Sequence, residues 1–119
     1  MIRLIIVENE KAIQERFVKL ITALFNDIEI LEVIDNVEQA VQAIKKLSPD
    51  LVFLDVELNN GETSFDILRQ LPTINFEIIF ATAYDKYAVQ AIKFSALDYL
   101  LKPVTEEDLT DAIYRFKQK

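Results

Sequence analysis

Short runs of apolar residues alternate along the chain with segments in which apolar residues recur at helical spacing. Five runs have the length of strands. The predicted strands are Ile2–Val7, Ile28–Ile34, Leu51–Leu54, Phe76–Ala81 and Leu97–Leu101. The first has few polar positions, as expected for a strand covered on both faces. Glu29 and Glu32 interrupt the second, which places it near a sheet edge.

Five segments of helical periodicity follow these strands. They cover residues 10–25, 36–47, 64–71, 86–93 and 105–117. Asn36 is predicted to cap the second helix, and Thr105 with Asp108 resembles a capping box before the last. The fourth helix carries Val89 and Ile92 as apolar positions. Alternating strands and helices with short connections predict an α/β fold with a parallel, right-handed, doubly wound sheet.

Composition narrows the classes of function. The length of 119 residues fits one domain. A net charge of −7, from 13 basic and 20 acidic residues, argues against direct binding of nucleic acid by this domain. The chain has no cysteine and no histidine, which excludes thiol nucleophiles, disulfides, Ser–His triads and imidazole metal ligands. We find no signal peptide or long apolar span and expect a cytoplasmic protein without membrane contact.

Polar groups stand where four of the predicted strands end. Glu8 and Asn9 follow the first strand, Asp55 the third, Thr82 the fourth and Lys102 the fifth. In a doubly wound sheet, ligands bind at the carboxyl ends of the strands. A carboxylate at the end of a buried strand is costly unless it meets a cation, hydrogen-bond donors or chemistry. The combination predicts one site that handles a phosphoryl group and a metal ion.

Each residue type suits a part of that chemistry. Aspartate can attack phosphorus and form an acyl phosphate when nearby cations neutralise the phosphoryl oxygens, which makes Asp55 the candidate acceptor. Mg²⁺ prefers oxygen ligands, so Glu8, Asp55 and the peptide oxygen of Glu57 are candidate ligands. Lys102 would pair with a phosphoryl oxygen, and the Thr82 hydroxyl would donate to another.

Four motifs together resemble the receiver domain of bacterial two-component response regulators. They are Ile6-Val7-Glu8-Asn9-Glu10, Leu54-Asp55, Ala81-Thr82-Ala83-Tyr84 and Asp98-Tyr99-Leu100-Leu101-Lys102-Pro103. The resemblance covers essentially all of residues 1–119, and residues 80–88 look most like receivers that precede LytTR-type DNA-binding domains. It implies a flavodoxin-like fold with strand order 2-1-3-4-5 and five helices. It also implies the N-terminal part of a longer regulator with a C-terminal DNA-binding output domain.

The resemblance also implies roles. Asp55 would accept a phosphoryl group from a sensor histidine kinase, beside Lys102 and the Ala83 amide. Thr82 would be the switch hydroxyl and Tyr99 the switch aromatic. Such a domain is a signalling phosphoacceptor that catalyses at most its own phosphorylation and dephosphorylation.

Further positions follow from the same resemblance. Glu57 and Tyr84, two residues after the acceptor and the switch hydroxyl, would tune the lifetime of the phosphoryl group. If the active form is a homodimer through helix 86–93, strand 97–101 and helix 105–117, Lys93, Asp98 and Arg115 would form ion pairs between the subunits; otherwise these residues form a solvated charged face. The peptide bond before Pro103 would be cis.

Asn9 departs from the pattern of the family. Receivers usually carry two acids after the first strand, and the second is a direct magnesium ligand. The amide oxygen of Asn9 can still bind the metal, but one formal charge is lost. We therefore expect weaker magnesium binding than in a receiver with two acids.

Two other interpretations differ in their consequences. A phosphohydrolase of the haloacid dehalogenase type also combines Asp, Thr, Lys and Mg²⁺. Those enzymes place a pair of aspartates after the first strand, whereas here Asp55-Val56-Glu57 follows the third and no cap domain fits. The second interpretation is a receiver-like interaction module that phosphorylation does not control. Asn9 supports it and the other site residues oppose it.

Overall fold

The computed structural model describes residues 1–119 as a five-stranded sheet with helices on both faces. The elements in chain order are β1 (Ile2–Val7), α1 (Lys11–Leu24), β2 (Ile28–Ile34), α2 (Val37–Leu47), β3 (Leu51–Leu54), α3 (Ser64–Gln70), β4 (Glu77–Thr82), α4 (Ala88–Lys93), β5 (Asp98–Leu101) and α5 (Glu106–Lys117). All neighbouring strands are parallel, in the order β2-β1-β3-β4-β5. The predicted fold class and strand order are confirmed, with β2 at an edge.

Successive residues of the central strands face opposite layers of the core, which explains their continuous apolar runs. In β1, Ile5 and Val7 pack with α2, α3 and α4, whereas Leu4 and Ile6 pack with α1 and α5. The central strands β3 and β4 and most of β1 are buried on both faces, and their ends are therefore held at fixed positions. None of the helices is both long and apolar enough to cross a membrane.

Side-chain caps define the starts of two helices as predicted. The Asn36 side chain accepts a hydrogen bond from the backbone N–H of Gln39 at 2.9 Å. Thr105 and Asp108 form a reciprocal capping box, in which each side chain accepts from the backbone N–H of the other. Because these caps satisfy amide groups that have no partner within the helix, they fix where α2 and α5 begin.

Helix α4 is shorter than the sequence predicts. It begins at Ala88, and Tyr87 before it has a non-helical backbone conformation with φ of −96° and ψ of 1°. Ala91 is buried under the helix, whereas Val89 and Ile92 are 68% and 73% exposed. A six-residue helix buries only one narrow face, so these two apolar side chains remain on the surface.

Candidate functional site

The residues predicted to form the site stand at one end of the sheet because backbone hydrogen bonds extend beyond the strands. The Asp55 amide donates to the carbonyl of Val7 at 2.9 Å, and the Lys102 amide donates to the carbonyl of Thr82 at 2.8 Å. Glu8, Asp55 and Thr82 are all buried. The parallel arrangement therefore gathers side chains that are far apart in sequence.

Lys102 connects the two buried carboxylates. Its Nζ lies 2.6 Å from Glu8 Oε1 and 3.1 Å from Asp55 Oδ2. Burial raises the pKa of Glu8, and the nearby negative charge of Asp55 raises it further. The hydrogen bond from Lys102 lowers this pKa but does not offset the burial. Burial alone would lower the pKa of Lys102, but the hydrogen bond to Glu8 and both carboxylate charges outweigh it and raise that pKa. Two carboxylates facing one ammonium leave a surplus negative charge that favours a further cation.

The oxygen atoms of Glu8, Asp55 and the neighbouring Asn9 are of the kind that a magnesium ion binds. Glu8 and Asp55 supply carboxylates, and the Oδ1 atom of Asn9 is shielded from solvent without a hydrogen-bond partner. No group of three or more acidic side chains gathers at one point. Mg²⁺ typically takes one or two carboxylates and keeps several waters, so this donor set suits it.

Glu57 is held by a short antiparallel bridge to Thr63. The hydrogen bonds of this bridge involve the neighbours of Glu57: the Ser64 amide donates to Val56 at 2.8 Å, and the Leu58 amide donates to the Glu62 carbonyl at 2.9 Å. The peptide oxygen of Glu57 therefore takes no part in the bridge and suits the predicted role of a metal ligand. The turn that closes the bridge includes Gly61 with φ of 74°, a conformation that favours glycine.

Asp55 lies in a cleft of about 550 Å³ at the carboxyl ends of the strands. The residues that line it with Asp55 include the predicted site residues Asn9, Glu57, Ala83, Tyr84 and Lys102, and also the charged side chains of Glu10 and Arg16. Thr82 is not among the lining residues, and its Oγ1 is buried without a hydrogen-bond partner. The Thr82 hydroxyl is therefore available for a new bond if the strand end shifts.

Two tyrosine hydroxyls hold the loop between β4 and α4. Tyr99 donates to the backbone carbonyl of Tyr84. Tyr87 donates to the Glu57 carboxylate at 2.6 Å, and this hydrogen bond raises the pKa of Tyr87 to about 12. Sequence reasoning missed the second contact because Glu57 and Tyr87 are 30 positions apart and belong to different loops.

Two of the three residues predicted for a dimer face, Asp98 and Arg115, form an ion pair within the chain. Arg115 places Nε and Nη2 at 3.0 and 2.5 Å from Asp98 Oδ2. The hydrogen bond to Asp98 raises the pKa of Arg115, which stays charged. Lys93 lies in the last turn of α4.

Comparison with known proteins identifies the family. The family model described as response regulator receiver domain matches residues 4–114. The chain belongs to this family. A receiver is a signalling domain of two-component systems, and the sequence-based assignment is confirmed.

Two curated relatives are similar to the chain over nearly its whole length. Sensory transduction protein LytT of Bacillus subtilis (strain 168) is 38% identical over 120 residues, which cover 99% of this chain and 49% of that protein. Transcriptional regulatory protein BtsR of Salmonella typhi is 35% identical over 120 residues, covering 100% of this chain and 49% of that protein. The receiver thus spans about half the length of these curated relatives, and its resemblance to LytTR-type regulators is confirmed.

Solved structures agree with the receiver fold. A DNA-binding response regulator of the LuxR family from Staphylococcus aureus matches with a TM-score of 0.86 and 28% identity, over 98% of both chains. The response regulatory domain of mrkE from Klebsiella pneumoniae matches with a TM-score of 0.87 over 99% of this chain and 100% of that one. Its identity of 24% supports the fold alone.

Proposed function

We propose that this receiver is a phosphoacceptor that takes a phosphoryl group from the phosphohistidine of a sensor histidine kinase onto Asp55. The observation that carries the proposal is the position of the Lys102 ammonium group, 3.1 Å from Asp55 and 2.6 Å from Glu8 in a cleft at the sheet end. A nucleophilic carboxylate, a second acid and a fixed cation are the groups that phosphoryl transfer to aspartate needs.

In the proposed reaction, a carboxylate oxygen of Asp55 attacks phosphorus while the bond from phosphorus to the kinase imidazole nitrogen breaks. Lys102 pairs with a phosphoryl oxygen as charge accumulates, and the backbone amide of Ala83, a residue that lines the cleft, would donate to another. Mg²⁺, held by Glu8, Asp55, the Glu57 carbonyl and the Asn9 amide oxygen, would neutralise the phosphoryl oxygens.

Signalling would follow from the new charge. A phosphoryl group brings roughly two negative charges and three acceptor oxygens into the cleft. The Thr82 hydroxyl, which has no partner, would move to donate to one of them. Tyr99 would then exchange its bond to the Tyr84 carbonyl for an inward position, which changes the face formed by α4, β5 and α5.

The same face is a proposed homodimer surface. It exposes Ile92 of α4 and Tyr114 of α5, together with the ion pair between Asp98 and Arg115. A dimer would form if Arg115 exchanged its partner within the chain for one on a second copy, while Lys93 supplied a further cation. The relatives LytT and BtsR are about twice as long, and BtsR is named a transcriptional regulatory protein. We propose that this receiver controls transcription through a DNA-binding domain elsewhere in such a chain.

Asn9 favours a second candidate function. If one carboxylate fewer leaves the site without bound Mg²⁺, the domain would act as an interaction module that phosphorylation does not control. In that case the Lys102 bonds to Glu8 and Asp55 would be permanent structural ion pairs.

Incubation with acetyl phosphate, with and without Mg²⁺, separates the two functions when intact mass is recorded. We expect a magnesium-dependent gain of one phosphoryl group that Asp55→Asn abolishes. Asp111→Asn, at an exposed position of α5, is the matched control and should gain the group as the wild type does. No gain at high Mg²⁺ would favour the interaction module.

A further inference from the structure

A groove between α3 and α4 is lined by basic and apolar side chains. It has a volume of about 500 Å³, and its charged lining residues are Arg69 of α3, Lys86 just before α4 and Lys93 at the end of α4. No acidic residue lines it, although the whole chain carries 20 acidic and 13 basic residues. The groove is therefore a positively charged patch on an acidic protein.

Aromatic rings hold two of these cations in place. The Arg69 guanidinium lies 6.0 Å from the centre of the Phe94 ring. The Lys86 ammonium lies 5.4 Å from the centre of the Tyr84 ring and 5.2 Å from that of the Tyr87 ring. The negative face of an aromatic ring attracts a cation placed over it. Both cations are therefore restricted in position before any partner binds, which lowers the entropy lost on binding.

The positive charge of the groove is only partly neutralised within the chain. Arg69 pairs with Asp66 at 3.3 Å and Lys86 lies 3.8 Å from Glu57, but these four side chains are between 39% and 64% exposed. Lys93 takes part in none of the ion pairs of the chain. Water screens exposed pairs of this kind and makes them weak. The cations therefore remain available to carboxylates of a partner.

The apolar part of the groove is an exposed surface on a rigid base. The Phe94 ring stacks on the buried Phe65 ring at a centroid distance of 5.6 Å and an interplanar angle of 20°. Val89 of α4 lines the same groove and is 68% exposed. Covering this surface with an apolar side chain of a partner is favourable because it removes both surfaces from water. The groove thus combines an apolar contact with three cations.

This groove lies on the α3 side of α4. None of its lining residues belongs to β5 or α5, and only Lys93 is shared with the proposed dimer face. A partner in the groove would therefore contact a surface of the receiver that the proposed dimer leaves largely free.

We propose that the groove between α3 and α4 binds an acidic amphipathic segment of a partner protein. Carboxylates of the segment would meet the three cations, and an apolar side chain would cover Val89 and Phe94. Charge complementarity decides the class of partner. A nucleic acid duplex carries one charge per about 1.7 Å, and most of these charges would face a chain of net charge −7. A short acidic segment brings only a few charges, which the groove can match.

Fluorescence anisotropy with a labelled peptide tests the proposal on the unphosphorylated protein. The probe is a synthetic peptide with glutamate on one helical face and leucine on the other. We expect binding that weakens as salt screens the charges, and amide shifts in NMR spectra that concentrate at the residues of the groove. Peptides with lysine in place of glutamate, or serine in place of leucine, should not bind.

Two substitutions of Gln90 change the charge of the groove in opposite directions. Gln90 lines the groove and is uncharged, so its replacement breaks none of the ion pairs. We expect Gln90→Lys to tighten binding of the acidic peptide about threefold and Gln90→Glu to weaken it about threefold. Gln42→Lys and Gln42→Glu are the matched controls, because they change the net charge equally at an exposed position of α2. These controls should leave the affinity unchanged.

The outcomes separate this proposal from its alternatives and from the phosphoacceptor function, since no step needs a phosphoryl group on Asp55. Equal effects of the Gln42 and Gln90 variants would mean that the charge of the whole chain attracts the peptide, which overturns the proposal. Absence of binding, binding of the lysine peptide, or amide shifts outside the groove would overturn it as well. Tighter binding of a DNA duplex at the same residues would identify nucleic acid as the partner in place of an acidic protein segment.

Discussion

The Lys102 ammonium group lies 2.6 Å from Glu8 Oε1, closer than its 3.1 Å approach to Asp55. Glu8 is almost completely buried, and only 12% of the Lys102 side chain is exposed. A buried carboxylate without its cation is strongly unfavourable, whereas the net contribution of an intact buried pair is small. Lys102 is therefore needed to keep two acids at the sheet end, in addition to its proposed role toward a phosphoryl group.

Replacing Lys102 by Met should destabilise the fold. The side chain keeps its apolar volume, but Glu8 and Asp55 lose their shared cation. We expect the free energy of unfolding to fall by about 3 kcal/mol in urea denaturation at neutral pH. Lys119→Met is the matched control because Lys119 pairs with Glu77 at 3.2 Å on the surface. That change should cost less than about 1 kcal/mol. Equal effects of the two substitutions would contradict the structural role of Lys102.

Asn9→Asp should strengthen magnesium binding. The Oδ1 atom of Asn9 is shielded and has no partner, so a carboxylate there adds a charge without breaking a hydrogen bond. We expect the Mg²⁺ dissociation constant to fall about tenfold, a gain of ~1.4 kcal/mol, in an NMR titration. Asn9→Ala removes the oxygen and should weaken binding instead. Unchanged affinity in Asn9→Asp would show that this residue lies outside the metal site.

Tyr99→Phe should loosen the β4–α4 loop of the unphosphorylated protein. The substitution removes the hydroxyl that donates to the Tyr84 carbonyl but keeps the ring, which packs 6.0 Å from Phe80. Backbone amides of residues 83–87 should exchange with solvent deuterium several-fold faster, in line with about 1 kcal/mol for one hydrogen bond. Tyr114→Phe should leave this exchange unchanged. Unchanged exchange in Tyr99→Phe would mean that the bond does not hold the loop.

Much of the fold and of the site can be predicted from the sequence. The periodicities of strands and helices identify the elements, and the parallel order of the strands brings their carboxyl ends to one edge of the sheet. The strand runs place Glu8, Asp55 and Lys102 at strand ends, and parallel pairing must bring those ends to one edge. The caps at Asn36 and Thr105 depend only on residues three positions apart. Local spacing is sufficient for both kinds of prediction.

Contacts between loops cannot be predicted from local residue spacing. The bond from Tyr87 to Glu57 joins two loops and has no periodic signature. The start of α4 is likewise later than its apolar pattern predicts: Tyr87 lies outside the helical conformation, and its carbonyl accepts the first hydrogen bond of the helix from the Ala91 amide.

The ion pair between Arg115 and Asp98 should matter more for association than for folding. Arg115 is exposed, so Arg115→Ala should change the free energy of unfolding by less than about 1 kcal/mol. In sedimentation velocity of the phosphorylated protein, we expect the substitution to weaken dimerisation about tenfold because it removes a cation from the α4-β5-α5 face. Arg69→Ala is the comparison variant, since Arg69 pairs with Asp66 at 3.3 Å on α3 and its guanidinium lies 6.0 Å from the Phe94 ring, between α3 and the end of α4. If Arg69→Ala weakened the dimer and Arg115→Ala did not, the subunits would associate through the α3 side of the sheet instead.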